Sequence, residues 1–284
     1  HARQPLDTHH LLKPRATRRS SMPTSPHRPN QLPYGEVTGR DAAPGGTRGR
    51  AMPVAIITGA SKGLGRALAA ALAERGWDLV LDARTDAVLQ EAARELGGRG
   101  GRVRAFSGDV TDAGHRTALV AAARAFGGLD LLVNNASALG AEPLVRLEAQ
   151  PLDGLRQALE TNVVAALGLV QEALPLLRAS RAGGAVVNVS SDAAAEAYET
   201  WGGYGASKAA LDQLTAVLGE EERGLRVWAV DPGDMRTDLY QAAVPVVDAS
   251  GRPLPETVVP AFLRLLDERP ASGRYAAPAL LPAS

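Results

Sequence analysis

Val54-Ala-Ile-Ile-Thr-Gly-Ala-Ser-Lys-Gly-Leu-Gly65 decides the reading of this 284-residue chain. Four apolar residues in a row, running into a glycine turn, predict a short strand buried on both faces. Gly59, Gly63 and Gly65 then let the backbone turn sharply into a helix expected over 63–75. Such a turn brings backbone N–H groups and the positive end of a helix dipole against a phosphate. With 30 glycines in the chain, this spacing arises by chance about 0.3 times. Its position between a strand and a helix favours a dinucleotide site over a glycine-rich packing turn.

The same alternation continues outward. Strands are expected at 79–83, 103–106, 129–133, 185–189 and 226–230. Helices are expected at 88–96, 113–126, 151–178, 204–222 and 257–266, with Pro175 bending or tightening the last turn of the long one. Short apolar strands alternating with helices predict an α/β doubly wound Rossmann fold: a parallel sheet of about seven strands with helices on both faces.

Composition narrows the chemistry. The chain has 31 Lys and Arg against 31 Asp and Glu, but residues 1–51 carry nine of the basic and three of the acidic groups. The rest is mildly acidic, which argues against a nucleic-acid partner. There is no cysteine, and four of the five histidines precede residue 52, leaving His115. Thiol catalysis, a cysteine zinc site and a histidine-based triad are therefore disfavoured, and no metal is expected. No apolar run approaches the roughly 18–20 residues that span a bilayer, so no membrane partner is expected. Residues 1–51, rich in Pro, Arg, Ser and Gly, read as a disordered extension before a single domain at 52–284. An organelle transit peptide is one alternative for them. An upstream translation artefact is another, since residue 1 is His and Met52 adjoins the first strand. The location expected is cytoplasmic unless the extension targets an organelle.

The second strand ends in Asp82-Ala83, and Arg84 follows it. A ribose-binding carboxylate at this point marks NAD sites, but strand alternation puts Ala83 rather than Asp82 on the ribose side. Arg84 and Lys62 supply positive charge for a 2′-phosphate, so NADP(H) is expected over NAD(H).

Tyr204 and Lys208 stand four apart on a predicted helix, hence on one face. A phenol ordinarily titrates near ~10, and a neighbouring ammonium favours its ionised form. The chain has three lysines: Lys13, Lys62 in the glycine loop, and Lys208 beside Tyr204. Arg serves nearly everywhere else, so an ammonium is kept where this chemistry asks for one. Ser191, ending the fifth strand, offers a hydroxyl to a carbonyl, with Ser190 as the rival that alternation turns the other way.

These residues together resemble the short-chain dehydrogenase/reductase family in its single-domain subclass, over about 53–278. The matching pieces are Thr58-Gly-Ala-Ser-Lys-Gly-Leu-Gly65, Asp109-Val110, Asn134-Asn-Ala-Ser137, Asn162, Ser191, Tyr204 with Lys208, and Asp231-Pro-Gly233 with Thr237. The resemblance implies a reversible hydride transfer between NADP(H) and a small-molecule carbonyl or alcohol. It implies that Tyr204 is the acid/base, that Ser191 orients the carbonyl, and that Lys208 lowers the phenol's pKa and binds the nicotinamide ribose. It further implies that Asn162 holds a water in a proton relay. Thr58, Gly59, Ser61, Lys62, Gly63, Leu64, Gly65, Arg84, Asp109, Val110, Asn135, Ala136, Pro232, Gly233 and Thr237 are the implied cofactor contacts. A homodimer or homotetramer through helix 151–178 and the Tyr204 helix is implied as well. Ser137 stands where the family usually has Gly, with little effect expected. The substrate pocket is expected from 139–147, 192–203 and the segment after Gly233. The alternative in another class is a non-catalytic NADP(H)-binding regulator or scaffold of the same fold.

Overall fold

The computed structural model describes residues 52–281. The expectations for residues 1–51 lie outside the described residues, as do the last three positions. Among the described residues, no helix is long and apolar enough to cross a membrane.

Seven strands form one sheet: β1 Val54–Ile57, β2 Asp78–Ala83, β3 Val103–Ser107, β4 Leu131–Asn134, β5 Ala185–Val189, β6 Arg226–Asp231 and β7 Gly273–Ala276. Their order is β3-β2-β1-β4-β5-β6-β7, and every neighbouring pair is parallel. The strand order reverses beside β1, and the cleft between β1 and β4 is where such sheets bind ligands, beyond their carboxyl ends.

Alternation along the strands feeds two cores. Ala55, Ile57, Leu79, Leu81, Val133, Val187 and Val230 pack under α1 (Gly63–Glu74), α2 (Asp86–Leu96) and α8 (Pro255–Glu268). Val54, Ile56, Val80, Leu132, Val186 and Val227 pack under α3 (Ala113–Phe126) and α5 (Ala166–Arg178). Residues on both faces of β1, β2, β4, β5 and β6 are thus buried, which is why these central strands read as largely apolar runs.

The helix expected over 151–178 departs from a regular α-helix. It runs as α4 (Leu152–Leu159), a π-helical segment (Glu160–Ala165) and α5, with Pro175 inside α5. The widened turn carries Asn162, whose buried side chain bonds across to a loop instead of following the helix surface. The remaining helices are α6 (Gly202–Glu221), α7 (Asp238–Ala243) and α9 (Ala277–Leu280). A 3-10 turn, Asp192–Ala194, follows β5.

Candidate active site

The glycine loop is fixed by side chains from two strands. Thr58 Oγ1 accepts the backbone N–H groups of Asn135 and Ala136, both at 3.0 Å. Asn135 Nδ2 donates to the carbonyls of Thr58 at 2.9 Å and Gly59 at 3.2 Å. The side chains of Thr58 and Asn135, read as cofactor contacts, are therefore committed to holding the loop against the end of β4. Gly59 (φ +64°) and Gly63 (φ +57°) occupy the left-handed region. A Cβ on Gly65 would lie 2.4 Å from the Gly59 carbonyl oxygen and 2.6 Å from Asn135 Nδ2. The first turn of α1 carries no acidic residue, and its N-cap, Lys62, makes no side-chain cap bond. These N–H groups and the glycine cradle fit a pyrophosphate. Ser61 and Leu64 are buried beside them.

At the far end, Asp82 is buried and its Oδ1 lies 2.6 Å from His115 Nε2. Burial raises the Asp82 pKa, opposed by His115 and by the Gly59 N–H. The carboxylate thus braces the loop and α3, while Ala83 packs on the α1/α2 side. Arg84 is exposed. Asp109 accepts from the Thr111 N–H and hydroxyl, and these bonds hold its carboxyl below the usual range, with Arg84 and His115 adding to the effect. Val110 and Ala136 line a small cavity with Thr58 and Thr161. Lys62, read as part of a 2′-phosphate site, instead pairs with Asp238 of α7 at 2.5 Å, both side chains exposed. That pair bridges the glycine loop and the segment after β6. Thr237 caps α7 by accepting from the Tyr240 N–H and lies against Gly63. Gly233 (φ +73°) turns the chain after Pro232.

Tyr204 and Lys208 both lie on α6 and are 6% and 2% exposed. The phenol is packed among Leu139, Leu144, Ala193 and Ala243, with the Trp201 ring edge-on at 5.7 Å. The three segments expected to form the substrate pocket therefore meet around this side chain. Lys208 Nζ donates to the Val189 carbonyl at 2.8 Å and stands 5.5 Å from the centroid of the Tyr204 ring.

The electrostatics run opposite to the expectation that the ammonium lowers the phenol. Burial pushes Tyr204 up to about 12, with Asp231 and Asp192 adding to the rise and the Ser137 hydroxyl opposing it. Burial pushes Lys208 down to about 8, partly offset by Asp212. Desolvation outweighs pairing because the ammonium is directed at a backbone carbonyl instead of the phenol oxygen.

Ser191 Oγ donates to Asp192 Oδ1 at 3.1 Å and accepts the Ala193 N–H at 3.2 Å, capping the 3-10 turn. Ser190 is buried. The hydroxyl, the phenol and the ammonium thus border one region at the carboxyl end of β5 but each bonds a different neighbour.

Asn162, read as the holder of a water, has its amide fully engaged by protein. Its Oδ1 accepts from the Ala138 N–H at 2.8 Å and Ser137 Oγ at 3.2 Å. Its Nδ2 donates to the Ala138 carbonyl at 2.9 Å and Ser207 Oγ at 2.8 Å. Ser137, expected to have little effect, joins Asn162 and faces the phenol. The only sequence signal for it was its departure from glycine after Asn-Asn-Ala.

A family model described as short chain dehydrogenase matches residues 53–246. This chain belongs to the short-chain dehydrogenase/reductase family and is an oxidoreductase. It is similar to the (S)-acetoin-forming diacetyl reductase of Staphylococcus epidermidis, 32% identical over 189 residues, covering 66% of this chain and 72% of that protein. It is similar to the sepiapterin reductase of Xenopus laevis, 35% identical over 198 residues, covering 66% and 75%. Among solved structures, an alcohol dehydrogenase from Thermococcus sibiricus complexed with 5-hydroxy-NADP superposes with a TM-score of 0.71. The identity is 28%, over 79% of this chain and 95% of that one.

Proposed function

We propose that this oxidoreductase uses NADP(H) to interconvert a small, largely apolar carbonyl compound and its alcohol, with Tyr204 exchanging the proton. The observation that carries this reading is the buried Tyr204–Lys208 pair of α6 at the carboxyl edge of a sheet whose glycine loop opens onto an uncapped helix. Bound NADP(H) supplies or accepts the hydride. Around it, the phenol gives its proton to the developing alkoxide, Lys208 holds positive charge beneath it, and Ser191 turns its hydroxyl from Asp192 to the carbonyl. The apolar wall of Leu139, Leu144, Trp201 and Ala243 excludes water and favours an apolar substrate.

The 2′-phosphate preference is supported by the exposed Arg84 and by the engagement of the buried Asp82 with His115, which ties that carboxylate to α3. The 5-hydroxy-NADP complex of the Thermococcus sibiricus neighbour supports it as well. Exposed Leu152, Val164 and Val217 on α4, the π-helical turn and α6 support association with a second copy through this face.

The test is loss of NADPH absorbance with a panel of aldehydes and ketones. Turnover is expected on at least one, with kcat/KM at least about tenfold lower for NADH, a difference worth roughly 1.4 kcal/mol. Cofactor binding with no turnover on any substrate, or equal use of both cofactors, overturns the corresponding half of the proposal.

Gly65→Ala tests the cradle. The added methyl overlaps the Gly59 carbonyl and the Asn135 amide. The strain of such overpacking is about 1–3 kcal/mol and forces the loop open. The Kd for NADPH, read by fluorescence titration, is expected to rise by about tenfold or more.

A further inference from the structure

The peptide unit joining Ser191 to Asp192 lies against a charged cluster. Its carbonyl, Ser191 O, accepts from Arg274 Nη2 at 2.9 Å. Its N–H end, from Asp192, faces the Asp231 carboxylate, which accepts from the Gly233 N–H at 2.9 Å. Arg274 and Asp231 are themselves an ion pair at 3.5 Å, and Arg274 Nε donates to Asp212 Oδ2 at 2.9 Å. Arg274 comes from β7, level with Ala229 of β6, while Asp212 follows Lys208 by one turn on α6. One guanidinium therefore joins the strand end that carries Ser191 to the helix that carries Tyr204 and Lys208. Its planar fork suits several acceptors at once, which an ammonium cannot match.

Charge adds a second consequence. The groups facing the phenol are Lys208 on its own helix, Asp192 after β5 and Asp231 at the end of β6, with the Ser137 hydroxyl between. Asp212 faces Lys208. The Asp212 and Asp231 side chains are only 16% and 10% exposed, and Arg274 sits between them.

We infer that Arg274 is a positioning residue of the active site, fixing the Ser191–Asp192 peptide and balancing the two carboxylates beside Tyr204 and Lys208. The inference rests on the reading of Tyr204 as the acid/base, so Tyr204→Phe is assayed alongside.

The experiment compares Arg274→Met, Arg274→Lys and the double variant Arg274→Met/Asp231→Asn in alcohol oxidation with NADP across pH. Removing the cation disfavours the phenolate, so the acidic limb of kcat/KM in Arg274→Met is expected to move to higher pH by about one unit. A fall of about 10- to 100-fold in kcat is expected with it, and an NADPH Kd within about twofold of wild type. Asp231→Asn is expected to return the limb toward its original position. Arg274→Lys is expected to keep the limb in place while kcat stays depressed, because the charge remains and the fork is lost. If Arg274→Met does not fold, the Arg274→Lys pattern decides. A limb that stays put in Arg274→Met, full kcat in Arg274→Lys, or loss of NADPH binding in step with kcat overturns the inference. Retained turnover in Tyr204→Phe overturns the underlying reading instead.

Discussion

Tyr204→Phe is expected to lower kcat/KM about 10³-fold, within the ~10²–10⁴ that a positioned proton donor contributes, with the fold and NADPH binding intact. Phenylalanine keeps the ring in its apolar seat among Leu139, Leu144 and Ala243 and its edge contact with Trp201. What is removed is the hydroxyl alone. The phenol's elevated pKa, about 12, keeps it protonated through neutral pH, as carbonyl reduction requires. Lys208, pushed down to about 8, carries its charge below that value and loses it above. Reduction by the wild type is therefore expected to be level through neutral pH and to fall above about pH 8. Steady-state rates with NADPH at fixed ionic strength measure this. Reductase activity climbing between pH 8 and 10, or a Phe variant turning over within tenfold of wild type, overturns the role assigned to the phenol.

That pKa pattern also marks where the sequence stops being informative. The spacing of Tyr204 and Lys208 was visible as one helical face, and pairing alone predicts a lowered phenol. Burial decides the sign, and burial is a property of what packs above the ring: Leu139 and Leu144 lie 65 and 60 residues upstream of it and Ala243 39 downstream. Asp82 and His115 are likewise 33 residues apart. Alternation indicated that Asp82 faces away from the ribose side, yet nothing local named its partner.

The elements follow the same division. Strands with largely apolar runs, such as Ala185–Val189, were legible because both faces are covered. β7, whose Gly-Arg-Tyr-Ala is neither a run nor a clear alternation, was not located, although about seven strands were expected. Arg274 was hidden with it. The π-helical turn at Glu160–Ala165 leaves no trace in apolar periodicity, since one extra residue in a turn merely shifts the phase of a helix that is buried on one side.

Asn162, at the centre of that turn, carries the second large prediction, and its effect belongs to stability first. Its amide joins the π-helical turn to the backbone of Ala138 in both directions and to Ser207 of α6. Asn162→Ala strips partners from the half-buried N–H and carbonyl of Ala138 and from the hydroxyls of Ser137 and Ser207, each costing up to about 1–3 kcal/mol when left unpaired. Relaxation of the loop recovers part of this, so a loss of about 3 kcal/mol is expected, read as a lower urea midpoint at unchanged m. Asn162→Asp preserves shape but is expected to be no milder at neutral pH. It replaces the donor aimed at the Ala138 carbonyl with a charged acceptor, and Ser207 already donates its proton to the Tyr204 carbonyl. Because the unpaired carboxylate is disfavoured in the fold, its pKa there lies above the unfolded value, so the Asp variant regains stability as pH falls through that folded pKa. Activity falls in both variants because Ser137 and Ala138 lose the anchor that holds them beside the phenol. Tyr204→Phe and Asn162→Ala are then separable: the first removes turnover at an unchanged midpoint, the second lowers the midpoint itself. Equal midpoints for wild type and Asn162→Ala would show that the 137–138 segment is held in place without the amide, and that the residue acts on the reaction alone.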